Sequence, residues 1–361
     1  MFQLFQYHES DFVVSTEPWD DSKPHCSKFD EEVQLRWDQA MEDGHFRYRL
    51  DNIERRVLEG EKHYVVELNE KRAKERRRPQ PVKSVQEPFN PNVFNFNKIK
   101  PEEILFSIHK HESQSDVNAC SLGKDDKVDG KVTEKGERSL VVINVSPLGY
   151  GHVLLVPNVE ACLPQVLTES AIKLALEAML LSAHRGFRIG FNSLCALASV
   201  NHLHFHAYYL DEELFIEYCK VATFSGICYE LKTTPVRGFA VQLYGSNVSR
   251  VARVLHSVSS YFTRENIAHN MFISRGTRFG EGRGSKERTV RVIVWPRTSQ
   301  CGDTTGGLFN AAAVELAGHL PIKESEGFQE LVEADVEKSL SEISLSHEEF
   351  LTLKQNLKEI I

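Results

Sequence analysis

Val200–Leu210 reads VNHLHFHAYYL. His202, His204 and His206 take alternate positions, with Leu203, Phe205 and Ala207 on the positions flanking them. In an extended strand successive side chains leave by opposite faces. The stretch therefore predicts a strand with three imidazoles on one face and an apolar row on the other. Imidazoles are poor core material, because each ring nitrogen needs a partner. Three in register on one face indicate a site. Alternate strand residues lie roughly 6–7 Å apart at Cα, near enough to share one zinc ion. The outer two are roughly 13 Å apart, too far for an easy common metal. A metal would need two of the three and a group from elsewhere. His269 and His319 are available, but no HExxH pattern or cysteine pair directs them, and no metal is expected. The catalytic alternative explains more. A neutral imidazole attacks phosphorus, and the resulting phosphoramidate donates to a second acceptor. The other ring nitrogen must then carry the proton and be held. Flanking polar groups hold the non-bridging oxygens and assist the leaving group.

Upstream, SLVVINVS (139–146) is a β-branched strand, PLGYG (147–151) a turn, and HVLLVPN (152–158) a second strand, which together predict a hairpin. TESAIKLALEAMLLSAHRG opens on Thr168 as N-cap and stops at Gly186, with Ile172, Leu176, Met179 and Leu180 on one face. FRIGFNS (187–193) is a third strand and LHFHAYYL (203–210) the fourth. A helix on one face of an antiparallel sheet is an α+β layer arrangement. The second half echoes this order weakly. FAVQLYG (239–245) is a strand, NVSRVARVLHSVSSYFTREN (247–266) a helix, and HNMFISRG (269–276) and VRVIVWPR (290–297) are strands. AAAVELAGHLPIK (311–323) is read as a further strand. This order admits a diverged internal duplication.

Near the N-terminus, Val33, Leu35, Trp37 and Met41 have helical spacing up to Gly44, and His63–Leu68 reads as a strand. KRAKERRRPQP (71–81) is a basic run that is either a solvated segment or a phosphate contact. Residues 111–138 are polar and Gly-dotted, and read as a surface loop. GEGRGSKERTVR (280–291) reads as a hairpin tip. The expected organisation is a mixed N-terminal segment (1–90), a catalytic half (91–230), a second, degenerate half (231–325) and an acidic tail (326–361) forming a terminal helix pair.

Composition bounds the chemistry. The 361 residues are 41% hydrophobic and 26% charged, as in an ordinary globular protein. The net charge of -8 disfavours a general nucleic-acid surface, though not a local basic pocket for a phosphorylated ligand. No window approaches the roughly 18 apolar residues of a membrane span. MFQLFQYHESDFVV has no basic n-region before its broken apolar run. The seven cysteines are Cys26, Cys120, Cys162, Cys195, Cys219, Cys228 and Cys301. They are scattered and never form CxxC, so free thiols in a reducing cytoplasm are expected.

HLHFHAYY resembles the histidine-triad motif of the nucleotide hydrolase and transferase superfamily. NVSPLGYGHVLLVP (144–157) is similar to its ribose-side hairpin, and GFNSLCALASVNH (190–202) to the segment bringing an Asn and a Ser to the phosphates. With YVVELNEKR, FNFNKIKPEEILF and ELAGHLPIK in order, most of residues 30–325 resembles the GDP-hexose phosphorylases. The resemblance implies a histidine-triad-like sheet and attack by His204 on the α-phosphorus of a GDP-hexose, GDP-D-glucose in the animal branch. Hexose 1-phosphate would leave, and inorganic phosphate would then take GMP from His204 to give GDP. No cofactor is implied. His202 would set the nucleophile's geometry, and His206 would face the phosphates or leaving group. Asn144 and His152 would lie on the nucleoside side, and Asn192 and Ser199 at the phosphates. Plant members and hexose-1-phosphate uridylyltransferases end the motif in Gln where this chain has His206. A protonated His assists poorer leaving groups, so a nucleotide-sugar or dinucleotide hydrolase remains the alternative. A non-catalytic nucleotide-binding protein fits a complete triad less well.

Overall fold

The structure is a computed structural model that describes residues 3–20, 22–51, 53–111, 138–301 and 307–361. Nearly all of the loop expected at 111–138 lies outside the described residues. The strands are β1 (Leu4–Tyr7), β2 (Glu54–Val57), β3 (Val65–Leu68), β4 (Ile104–Lys110), β5 (Ser139–Ile143), β6 (Val153–Val156), β7 (Phe187–Asn192), β8 (Phe205–Tyr209), β9 (Val221–Ser225), β10 (Cys228–Leu231), β11 (Phe239–Gln242), β12 (Ala268–Thr277), β13 (Arg288–Arg297) and β14 (His319–Ile322). The α-helices are α1 (Lys28–Glu42), α2 (Glu70–Glu75), α3 (Glu169–Leu181), α4 (Val248–Arg264), α5 (Ala313–Ala317), α6 (Ser325–Glu330), α7 (Glu333–Ser341) and α8 (His347–Lys358).

Eleven strands form one sheet in the order β1-β4-β5-β6-β8-β7-β12-β13-β11-β10-β9. All neighbours are antiparallel except the edge pair β1–β4. The order is mirrored about the central β7–β12 pair: β8, β6, β5, β4 run outward on one side and β13, β11, β10, β9 on the other. In each half a helix immediately precedes the central strand, and these two helices, α3 and α4, pack together. The architecture is α+β, a histidine-triad-like sheet with packed helices.

Alternation along β8 decides which face is wet. Leu203, Phe205, Ala207 and Tyr209 join the main core, with residues of α1, α3, α4 and α8. The opposite face carries a smaller apolar cluster from Phe96, Leu140, Val142, Leu154 and Val200. A second small sheet, in the order β14-β3-β2, packs toward that same side through Tyr208 and Phe272.

Several expectations are corrected. The helix opened by Thr168, whose side chain accepts from Ala171 N–H, stops at Leu181 rather than at Gly186. Tertiary partners replace the glycine stop: buried Arg275 donates to the Met179 and Ser182 carbonyls, and Asp30 accepts from Ser182 Oγ and Ala183 N–H. AAAVELAGHLPIK is not one strand. Gly318, at φ +109, ends α5, and β14 then pairs in parallel with β3. The acidic tail holds three helices where two were expected. Cys195 and Cys301 form a disulfide across 106 residues, a pairing that scattered, non-CxxC cysteines do not announce. Cys26, Cys162, Cys219 and Cys228 are free.

Candidate active site

The hairpin β5–β6 presents Asn144 and His152 beside β8, whose His206 pairs with Leu154 on one side and Gly190 on the other. Its turn needs Gly151: φ is +63, and a Cβ there would run into the Tyr209 ring. Strand β8 begins only at Phe205, so His202 and His204 precede the regular ladder. Continuing the β7–β8 register would pair His204 with Asn192. Instead the carboxamide of buried Gln165 stands between them. Its Nε2 donates to the carbonyls of Asn192 (2.9 Å) and His204 (3.1 Å), and its Oε1 accepts from His204 N–H (3.0 Å). Sequence reading missed Gln165, which lies 39 residues from His204 with no local pattern.

Hydrogen bonds fix the histidine tautomers. His204 Nδ1 lies 2.7 Å from the His202 carbonyl, which only accepts, so Nδ1 carries the proton and Nε2 keeps its lone pair. Burial holds the ring well below its ordinary pKa, at about 4, so it is neutral at pH 7. His152 Nδ1 accepts from Leu148 N–H (2.8 Å), which puts its proton on Nε2. That Nε2–H donates to His206 Nδ1 (3.0 Å), so His206 carries its own proton on Nε2. Burial, and then the neighbouring imidazole of the cluster, lower both pKa values. His202 Nδ1 accepts from Phe96 N–H (3.0 Å), and burial lowers this ring to about 4 as well. The Phe96 ring touches both His202 and His204.

A cavity of about 240 Å³ opens over these groups. His204, His206, Asn144, Asn192 and Ser199 line it; His202 and His152 stand behind it. Asn144 Oδ1 accepts from Ser146 N–H, which orients its amide. Asn192 Oδ1 accepts from Asn270 Nδ2 (2.7 Å) and Ala313 N–H (2.9 Å), leaving its NH₂ uncommitted. The Ser193–Ser199 turn holds Cys195 and Leu197 at positive φ (57° and 75°), the kind of local strain that collects at functional sites. Cys195–Cys301 ties this turn to the chain beyond β13.

One part of the cavity lining is rich in apolar groups, Phe94, Phe96, Ile99, Val142, Leu154 and Val200. Arg72, Arg76, Glu315 and Lys323 also line the cavity. The basic run thus reaches the cavity through Arg72, Arg76 and Arg77, with the Arg77 guanidinium 3.2 Å from the Phe94 ring centre. Asn270, Asn310 and Glu315, all from beyond residue 231, are further site residues that sequence reading did not single out. Among the described residues no group of three or more His, Cys, Asp or Glu is placed to hold a metal ion, and no helix is long and apolar enough to cross a membrane.

The site can therefore present an unprotonated imidazole nitrogen, a second imidazole N–H, an amide donor and cations to a nucleotide. Comparison with known proteins agrees in sequence and fold. The chain is 40% identical to GDP-D-glucose phosphorylase 1 of Xenopus laevis over 384 residues, covering 99% of this chain and 96% of that protein. It is 41% identical to the Homo sapiens protein of the same name, covering 91% and 84%. GDP-L-galactose phosphorylase 2 of Arabidopsis thaliana is 32% identical, covering 87% and 72%. The yeast Ap4A phosphorylase Apa2 shares the fold at 14% identity, with a TM-score of 0.57 over 90% of this chain and 99% of that one. Residues 28–208 match the family described as "GDPGP1-like, N-terminal domain", and residues 217–361 match "GDPGP1-like, C-terminal domain". The chain belongs to the GDPGP1-like family.

Proposed function

We propose that the protein is a GDP-D-glucose phosphorylase, a nucleotidyltransferase acting through a guanylyl-histidine. The observation that carries this reading is His204. Its Nδ1–H is fixed on its own chain's carbonyl, and its neutral Nε2 belongs to a ring lining the cavity. That nitrogen attacks the α-phosphorus of the GDP-hexose. The bond to the bridging oxygen breaks, and hexose 1-phosphate leaves with the electron pair. The new P–N bond makes the ring cationic, and the His202 carbonyl stabilises the charge through Nδ1–H. Inorganic phosphate then attacks the same phosphorus, the P–N bond breaks, Nε2 recovers its lone pair, and GDP leaves. His206 Nε2–H and the Asn192 NH₂ serve the non-bridging and leaving oxygens. Ser199 lies at the phosphates, and Asn144 at the ribose. His202 and His152 act from behind, through His204 and His206.

Two homologous displacements also suit a sugar-phosphate leaving group, which needs little acid help. The 91–230 half holds the triad. In the mirrored half, which runs from β9 to β13, β13 occupies the place of β8 and carries no histidine. The four free thiols among the described residues favour the cytoplasm, while the Cys195–Cys301 disulfide does not; we assign the protein there, and cell fractionation tests that. The function is tested by supplying mass-tagged phosphate with GDP-D-glucose. Tagged GDP is expected, with an acid-labile GMP adduct trapped on the wild type and absent from His204→Asn. Untagged product with accumulating GMP would establish the hydrolase instead.

A further inference from the structure

The reaction above leaves one wall of the cavity without a role. That wall is formed by α5, the chain just before it, and α2. Ala313 N–H bonds Asn192 Oδ1, and Ala313 packs over Gly190, the strand partner of His206. Glu315 follows two residues later in α5 and lines the same cavity as Ala313 and His206. Glu315 is 5% exposed. Among the described residues it has no ion pair within 4 Å, and its carboxylate accepts from backbone, from Ala312 N–H at 3.1 Å and from its own N–H at the start of α5. Burial pushes its carboxyl up to about 7, with Arg72 and Arg76 near enough to offset part of that. Arg72 also acts electrostatically on His206. Asn310 lines the same wall, and its buried Oδ1 has no hydrogen-bond partner.

A buried carboxylate without a cationic partner is costly unless hydrogen bonds satisfy it. A carboxylate held only by backbone N–H groups, beside an unpaired amide oxygen on the same cavity wall, suits a ligand that brings hydroxyl donors. The aromatic and aliphatic groups of the other wall, with Arg77 stacked on Phe94, suit a purine, which leaves the hexose and its β-phosphate to this wall. We propose that Glu315 and Asn310 form the hexose subsite, accepting hydrogen bonds from sugar hydroxyls while Arg72 and Arg76 face the β-phosphate and, in the second displacement, inorganic phosphate. This assignment rests on the phosphorylase reading and names the residues that select the sugar.

The two displacements separate the hexose from the rest of the chemistry. Exchange of labelled inorganic phosphate into the β-position of GDP proceeds through guanylyl-His204 and contains no sugar. In Glu315→Gln, kcat/KM for phosphorolysis of GDP-D-glucose is expected to fall about 30-fold, at least ten-fold more than the exchange rate. Loss of one hydrogen bond to a charged acceptor is of that order. Asn310→Ala should show the same split more weakly. Residual exchange in each variant reports that fold and nucleophile are intact. Equal losses in both assays, or phosphorolysis at the wild-type rate, would overturn the subsite and leave the phosphorylase reading standing. Wild-type protein that performs no phosphate–GDP exchange would overturn the phosphorylase reading, and the subsite with it.

Discussion

Replacing Gln165 by Leu tests whether the opened ladder beside His204 is what aims the nucleophile. The wild-type carboxamide makes three hydrogen bonds at 2.9, 3.1 and 3.0 Å to backbone groups of Asn192 and His204, all buried. Leucine has similar volume but no polar atoms. If the gap stays open, two carbonyls and one N–H lose their partners. At about 1–2 kcal/mol for each buried unsatisfied group, the fold loses roughly 3–6 kcal/mol. If the gap closes, His204 N–H and Asn192 C=O can bond directly, as in an ordinary hydrogen-bonded pair with Cα atoms about 5.5 Å apart. The stability loss is then smaller, but the His204 backbone moves by the width of an amide. A misplacement of about 1 Å costs on the order of 100-fold in rate. Urea denaturation measures the first quantity, and the single-turnover rate of guanylyl-enzyme formation from GDP-D-glucose the second. Gln165→Glu adds a control, because it keeps an acceptor for His204 N–H while removing both donors. A Q165L protein within about 0.5 kcal/mol of wild type, with a guanylylation rate within two-fold, would refute the role given to this amide.

Other expectations follow from the same geometry. His202, His204 and His269 are buried and held near pKa 4, below the ordinary 6.5. The folded state therefore binds fewer protons than the unfolded chain between those values. Stability should be full above about pH 6.5 and fall toward pH 4, by up to ~3 kcal/mol per imidazole; denaturation midpoints against pH measure this. For the same reason, guanylylation by neutral His204 should show no titration near pH 6.5 in single-turnover rates. His206→Gln should lower phosphorolysis by about ten-fold, because the Gln oxygen can accept from His152 Nε2–H. His206→Leu strands that buried donor and should cost about 100-fold, with 1–3 kcal/mol of stability. Thiol titration of the denatured protein should yield two more thiols after reduction. Cys301→Ser should lower stability by up to about 4–5 kcal/mol, the chain-entropy limit for a loop of this length.

What the sequence made legible was whatever depends on neighbours along the chain. Alternation separated Leu203, Phe205 and Ala207 from the histidines, and the structure places the two rows in core and site as that period requires. The PLGYG hairpin and the Thr168 cap were likewise local. Several corrections involve a partner far away in sequence. The α3 stop depends on Asp30 and Arg275, and the break inside AAAVELAGHLPIK on a parallel neighbour, β3, about 250 residues earlier. The strand period also overreached by two residues: His202 and His204 keep the face that alternation gave them, but a glutamine from a separate loop holds them off the ladder.

The amide of Asn192 shows why the second half of the chain cannot be read as a passive repeat. An asparagine facing phosphate must present its NH₂, yet nothing intrinsic to the side chain selects that orientation over a flip. Here two donors from the second half, Asn270 Nδ2 and Ala313 N–H, converge on Oδ1 and make the flipped orientation place donor against donor. Asn270 is itself held, through Nδ2, by the Ala196 carbonyl in the strained turn that lines the cavity. Both asparagines sit directly opposite each other on the central β7–β12 pair. The mirrored half thus supplies no nucleophile but fixes the polarity of a group that the triad half cannot orient alone. Asn270→Leu should accordingly impair phosphate binding, read as a raised KM for inorganic phosphate, while His204 still takes up GMP. A variant with unchanged KM would show that the Ala313 N–H suffices on its own.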